Sequence, residues 1–416
     1  MDRIIIEGRN KLSGSVRISG SKNAALPIIA STILTAKACV LTNVPMLNDV
    51  LVMNKLLKTV GGEAEFSGSS LFIHNKSISN FKAPYDLVKT MRASVYVMGA
   101  LLGRYREAEV ALPGGCVIGE RPINLHLQGF EKLGAKINIE HGYIRAKAKK
   151  LKGAEINLDV VSVGATANII MAATLAEGKT VLRNAASEPH IVDLANFLNK
   201  LGARITGQGT KVIEIRGVSE LKGGKYAITP DYIEAGTFLV AAGITGSKIT
   251  LENSPVKDLE IILNKLTEAG CKIKISGSKI TAQGIERPNP ANIETQPYPG
   301  FPTDMQAQWS ALMALSSGAS IINETIWEKR FMHIPELNRM GANISVKGNT
   351  AVVEGVAGLS GAPVMVSDLR AGASLVLAGL RAKGTTEISR IYHLDRGYEQ
   401  IEKKFEALGA RIKRVK

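Results

Sequence analysis

Residues 131–139, EKLGAKINI, read as the end of a helix turning directly into a strand. Gly134 stands where a helix C-terminus needs a left-handed residue, and the alternation from Lys136 to Ile139 is that of a half-buried strand. The same phrase recurs at 58–66 (KTVGGEAEF), 199–207 (NKLGARITG), 267–275 (TEAGCKIKI), 338–346 (NRMGANISV) and 406–414 (EALGARIKR). The first glycines, Gly61, Gly134, Gly202, Gly270, Gly341 and Gly409, are 73, 68, 68, 71 and 68 residues apart. Spacing this regular marks six copies of one unit, each far longer than a solenoid repeat.

Working outward, each phrase follows an amphipathic stretch at helical spacing, such as 50–60 or 192–201. Earlier in each unit comes a second helix of small and apolar residues, at 24–34, 93–102, 165–175, 235–244, 305–315 and 372–380. A helix apolar nearly all round belongs inside a core. A short strand follows each one: ACVLTNV, AEVALPG, KTVLRNA, SKITLEN, ASIINET and TTEISRI. The expected fold is therefore α/β, with buried helices packed under sheets and six units dividing into two lobes of three. Gly223-Gly224 followed by Thr229-Pro230-Asp231 is the expected linker, with a second crossing near residues 19–22. By symmetry the first strand, residues 3–7, could join either lobe.

A chain of 416 residues can hold two substantial cores, and 45% hydrophobic with 21% charged residues is a globular composition. The N-terminal apolar run reaches only Glu7, too short for a signal peptide, and no later run approaches a membrane span. A cytoplasmic location is expected. Cys39, Cys116 and Cys271 have no metal-ligand spacing and leave an odd thiol, which suits a reducing compartment. Cys39 and Cys271 sit in strand-like contexts as packing residues. The net charge of +15 points to anionic partners. With 5% aromatics and dispersed basic residues, nucleic acid is not favoured.

Chemistry concentrates in two places. LPGGCVIGERP, residues 112–122, sets Cys116 in a Pro- and Gly-rich loop with Arg121 five residues on, a setting that favours a reactive thiolate. The starts of the six buried helices carry Lys22-Asn23, Arg92, residues 162–164, Asp231, Asp304 and Arg370. Asp231 and Asp304 could be N-caps and nothing more. Lys22, Arg92 and Arg370 oppose the helix dipole, an uncompensated cost that suggests a bound anion. Arg121, Arg330 and Arg396 add basic loop positions, while His126, His333 and His393 show no metal spacing. The expected site is a cleft between the lobes for substrates carrying phosphates and a carboxylate, with an acid and a base for proton transfer.

SGSKNAALP (19–27), APYDLVKTMRAS (83–94), LPGGCVIGERP (112–122), SVGATANIIMAATLAEG (162–178), FPTDMQAQ (301–308), EKRFMH (328–333), DLRAGASLVLAGL (368–380) and YHLDRGYE (392–399) together resemble the UDP-N-acetylglucosamine enolpyruvyl transferase family along the whole chain. The resemblance implies a two-lobed inside-out α/β barrel with buried helices and outer sheets, residues 22–229 forming one lobe and 1–21 with 230–416 the other. It implies transfer of the enolpyruvyl group of phosphoenolpyruvate to the 3′-hydroxyl of UDP-N-acetylglucosamine, opening peptidoglycan synthesis, with no cofactor and no metal. By motif, Cys116 matches the general acid and fosfomycin target, and Asp304 the base. Lys22, Arg121 and Arg396 match phosphate contacts; Arg330 and Arg370 match carboxylate contacts. Asn23 and Arg92 match substrate positions, with Arg121, Pro122, Ile123, Asn124, Leu125, Ser162, Val163, Gly164 and Ile326 around the sugar nucleotide. Asn124 departs from members that carry Asp there. A small-molecule enzyme, without nucleic-acid or membrane partners and monomeric, is the expectation. The rival enzyme, 5-enolpyruvylshikimate-3-phosphate synthase, has a Ser-rich continuation in place of SKNAALP and lacks the Cys loop.

Overall fold

All six phrase glycines adopt a left-handed backbone, with φ between 91° and 104°. That conformation is nearly free for glycine and strained for other residues, so each helix stops there and the chain turns into a strand. The computed structural model describes residues 2–112 and 123–416. Six separate four-stranded sheets follow, all with one internal order. In one of them Lys82–Ala83 runs parallel to Glu107–Ala111, which pairs antiparallel with Tyr143–Lys147, and Lys136–Glu140 closes the far edge. The strand after the glycine is an edge strand in every sheet. This corrects the half-buried expectation for KINI and KIKI: Ile139 and Ile275 are 55% and 49% exposed, because an edge strand is covered less than its inner neighbours.

The chain divides into two compact units, one holding residues up to Ser19 and from Pro230 onward, the other the described residues from Gly20 to Thr229. Each has its own hydrophobic core. In the first unit the helices Tyr232–Thr245, Gln306–Met313 and Leu369–Arg381 pack on one another. In the second, Tyr96–Tyr105 packs against both Lys22–Ser31 and Val163–Thr174. That approach is close: a Cβ on Gly99 would meet the Asn168 carbonyl oxygen at 2.5 Å. Each unit is thus three open sheets over buried helices, and no sheet closes into a strand barrel among the described residues.

Both units tie their ends together. Gly224–Ala227 lies parallel to Cys39–Thr42, so the Gly223-Gly224 turn leads into a strand of the 20–229 unit instead of forming the linker, and the chain leaves at Thr229–Pro230. Arg3–Glu7 pairs with Thr385–Ser389 and Ile412–Val415, and Ser15–Arg17 with Lys248–Glu252. The N-terminal strands therefore complete sheets of the unit that holds 230–416. Among the described residues no helix is long and apolar enough to cross a membrane.

Candidate active site

Pro302 precedes a single 3₁₀ turn, Thr303–Met305, which feeds the Gln306–Met313 helix. From this turn the Asp304 side chain meets two arginines. Arg330 Nη2 donates to Asp304 Oδ1 at 2.7 Å and Arg370 Nη2 to Oδ2 at 2.8 Å. Arg370 is placed by the start of the Leu369–Arg381 helix, whose N-cap Asp368 accepts from the Arg370 and Ala371 backbone N–H groups. The arginine side chains are 8% and 3% exposed, against 27% for Asp304. Burial works to raise the Asp304 carboxyl, but the Arg370 and Arg330 charges outweigh it and hold the group well below the usual carboxylate range. For Arg370, burial disfavours the cation and Asp304 more than compensates, so its charge is locked in.

Behind this triad lies a polar network that sequence reasoning missed. Arg330 Nη1 donates to Thr303 Oγ1 at 2.9 Å, and the Thr303 hydroxyl donates to Glu324 Oε2 at 2.8 Å. Buried Glu324 also accepts from the Thr295 hydroxyl and from the backbone N–H groups of Ile326 and Trp327, at 2.8, 2.9 and 3.1 Å. The backbone at Ile326 is therefore tied to the turn that carries Asp304. Arg370 Nη1 donates to Tyr398 OH at 3.2 Å, and that hydroxyl lies 2.8 Å from Thr237 Oγ1 and 3.2 Å from Gln308 Nε2. Arg396 ends the 3₁₀ segment Ile391–Arg396, two residues before Tyr398. One signal for Glu324 was available: after the short strand the repeats read LTN, LRN and LEN, where this one reads INE. Asn43, Asn184 and Asn253 take left-handed backbones there, while the acid goes inward instead.

In the other unit, Lys22 opens the Lys22–Ser31 helix under the N-cap Ser21, whose side chain accepts from Ala24 N–H. Its Nζ lies 3.4 Å from buried Asp49 Oδ2. Asp49 and Asp304 thus overturn the expectation that Lys22 and Arg370 are uncompensated cations. Asn23 follows within the same helix. Ser162 caps the Val163–Thr174 helix by accepting from Ala165 N–H at 3.3 Å. His126, the third residue of the Asn124–Lys132 helix that Ile123 precedes and Leu125 anchors, lies against Gly164, where a Cβ would meet the imidazole at 3.0 Å. Asn168 Nδ2 sits 2.8 Å from His126 Nδ1. Burial first, then the charge of Arg92, lowers His126 to about 4, so it is neutral at physiological pH. Arg92 begins the turn Arg92–Val95. Cys116, Arg121 and Pro122 lie outside the described residues.

A buried double-arginine grip on one carboxylate stands in a unit built as three sheets over buried helices. The family described as EPSP synthase (3-phosphoshikimate 1-carboxyvinyltransferase) matches residues 6–405. The chain belongs to this family. It is a transferase enzyme, in line with the resemblance read from its motifs. A UDP-N-acetylglucosamine 1-carboxyvinyltransferase of Geobacter metallireducens is 56% identical over 416 residues, covering all of both chains. Proteins of the same name from Geotalea uraniireducens and Pseudoalteromonas atlantica are each 55% identical, again over the full length of both chains. Among solved structures, the enolpyruvyl transferase NikO from Streptomyces tendae superposes with a TM-score of 0.90 at 24% identity, covering 100% of this chain and 99% of that one. EPSP synthase from Acinetobacter baumannii gives 0.76 at 19% identity with full coverage of both. These two share the fold.

Proposed function

We propose that this enzyme transfers the enolpyruvyl group of phosphoenolpyruvate to the 3′-hydroxyl of UDP-N-acetylglucosamine and releases phosphate, the first committed step of peptidoglycan synthesis. The observation that carries the reading is the unbroken 56% identity, end to end, with a protein named for that sugar nucleotide, against 19% with EPSP synthase. The acceptor oxygen bonds to C2 as its proton passes to Asp304 and a proton from Cys116 adds to C3. The resulting tetrahedral ketal then loses phosphate and a C3 proton. Positive character at C2 requires anions and cations already in position, because reorganising them during the reaction would raise the barrier. Arg330 and Arg370 take the substrate carboxylate; Lys22, Arg121 and Arg396 take its phosphate. Asn23, Arg92, residues 121–125, Ser162, Val163, Gly164 and Ile326 hold the sugar nucleotide. The substrates are small molecules, and the enzyme works as a cytoplasmic monomer.

Phosphate release from phosphoenolpyruvate, assayed in parallel with UDP-N-acetylglucosamine and with shikimate 3-phosphate, tests the acceptor. Release with only the sugar nucleotide is expected; release with neither overturns the reading. The thiol assignment has its own check: Cys116→Asp keeps turnover but escapes inactivation by fosfomycin, since a carboxylate can carry the proton but does not open the epoxide as a thiolate does. Inactivation at an unchanged rate would remove Cys116 from the site.

A further inference from the structure

Arg330 and Arg370 each hold Asp304 through a single Nη2, and each guanidinium is anchored from behind by a neutral hydroxyl. Arg330 rests on Thr303, which Glu324 fixes, and Arg370 rests on Tyr398, which Thr237 and Gln308 fix. Taking the Asp304 carboxylate away therefore leaves both cations in place. The Arg370 guanidinium is also under-used: its Nε is buried and has no hydrogen-bond partner among the described residues. Asp304 spans the two arginines with one oxygen each, whereas a guanidinium can hold a carboxylate through two parallel bonds. The most exposed member of the triad is the carboxylate, and the arginines lie beneath it.

A carboxylate clamped by two cations is too weak a base to take the proton of a sugar hydroxyl. The arrangement thus contains a conflict: the group with the right chemistry is disabled by its own partners. Phosphoenolpyruvate carries a carboxylate of its own. Building on the transfer reaction above, we propose that the substrate carboxylate displaces Asp304 from Arg330 and Arg370, and that this displacement is what frees Asp304 to accept the proton of the acceptor hydroxyl. The acceptor O–H bond then breaks towards Asp304 only when the carbon it will attack is already bound. Hydroxyl activation is coupled to the presence of the second substrate, without any additional residue.

The coupling has a sign that a plain contact role lacks. If Asp304 competes for the arginines, its removal improves binding of a substrate-like carboxylate. Titration calorimetry of the full chain compares wild type with Asp304→Asn, using phospholactate, the saturated analogue that keeps carboxylate and phosphate, and inorganic phosphate as the control without a carboxylate. The variant is expected to bind phospholactate at least about tenfold more tightly, with phosphate binding changed by less than about threefold. Unchanged or weaker phospholactate binding overturns the proposal. So does equal tightening of both ligands, which would reflect only the loss of a negative charge. Should the variant not fold, the wild type labelled at aspartate ¹³Cγ answers the same question. One additional aspartate should titrate in the ordinary carboxylate range with phospholactate bound, and no new titration would overturn the idea. Wild-type phosphate release with UDP-N-acetylglucosamine separates failure of this coupling from failure of the reaction assignment.

Discussion

Asp231 and Asp304 hold the same address in successive repeats of one unit, at the entrance to a buried helix, yet they do different work. Asp231 Oδ1 accepts from the Ile233 and Glu234 N–H groups at 2.8 and 3.1 Å, satisfying donors that the first turn of a helix leaves open. Among the described residues Asp304 caps no helix. It lies in a 3₁₀ turn that precedes the helix, and its carboxylate is held by Arg330 and Arg370. Residue type and repeat position are equal, so neither predicts which side chain is held between Arg330 and Arg370. Arg330 and Arg370 arrive at Asp304 from 26 and 66 residues away.

The sharpest way to break this contrast is to neutralise each acid in turn. Asp304→Asn should lower turnover by at least about a thousandfold in the phosphate-release assay, the scale of a lost general base. Asp231→Asn should stay within about threefold; comparable losses at both sites would erase the distinction. The next effect concerns pH. His126 has a folded value of about 4, below its ordinary 6.5, so its contribution to stability is complete above pH 6.5 and is lost as pH falls towards 4. Urea midpoints across that window should register about 3 kcal/mol, and His126→Gln should flatten that part of the profile. Asp304 also has a lowered value, so its arginine pairing stabilises the fold above about pH 4 and fades only as pH falls further, through its depressed value. The two groups therefore separate along the acid limb.

A smaller change follows from Arg370→Lys. It keeps the charge but loses the planar fork shared between Asp304 and Tyr398, and the KM for phosphoenolpyruvate should rise about tenfold to a hundredfold. An unchanged KM would mean that charge alone suffices at this position. The smallest effect belongs to the cap: Asp231→Ala should cost about 1 kcal/mol in urea unfolding from the loss of N–H capping. A cost several times larger would mean that Asp231 does more than close a helix end.

Much of the framework was legible because it is written in local terms. The six glycines, the apolar helices and the short strands after them depend on periodicity and on backbone preference over ten or fifteen residues. Where the reading missed, the cause was long-range. Strand 136–140 alternates correctly, but its exposure follows from lying at a sheet edge, which pairing decides. Lys22 and Arg370 look uncompensated until Asp49 and Asp304 fold onto them. Glu324, Thr303 and Tyr398 belong to no local pattern of catalysis, and their roles exist only through what they touch.

By itself the sequence determined the repeat, the helix ends, the two sets of three and the short motifs that identify the family, since each is a property of neighbours along the chain. Tertiary structure alone decided that Asp304 is held between Arg330 and Arg370, how those arginines are braced, and which sheet receives the first strand. Charge pairing and sheet closure depend on distances between residues far apart in the chain, and those distances exist only once the cores have formed.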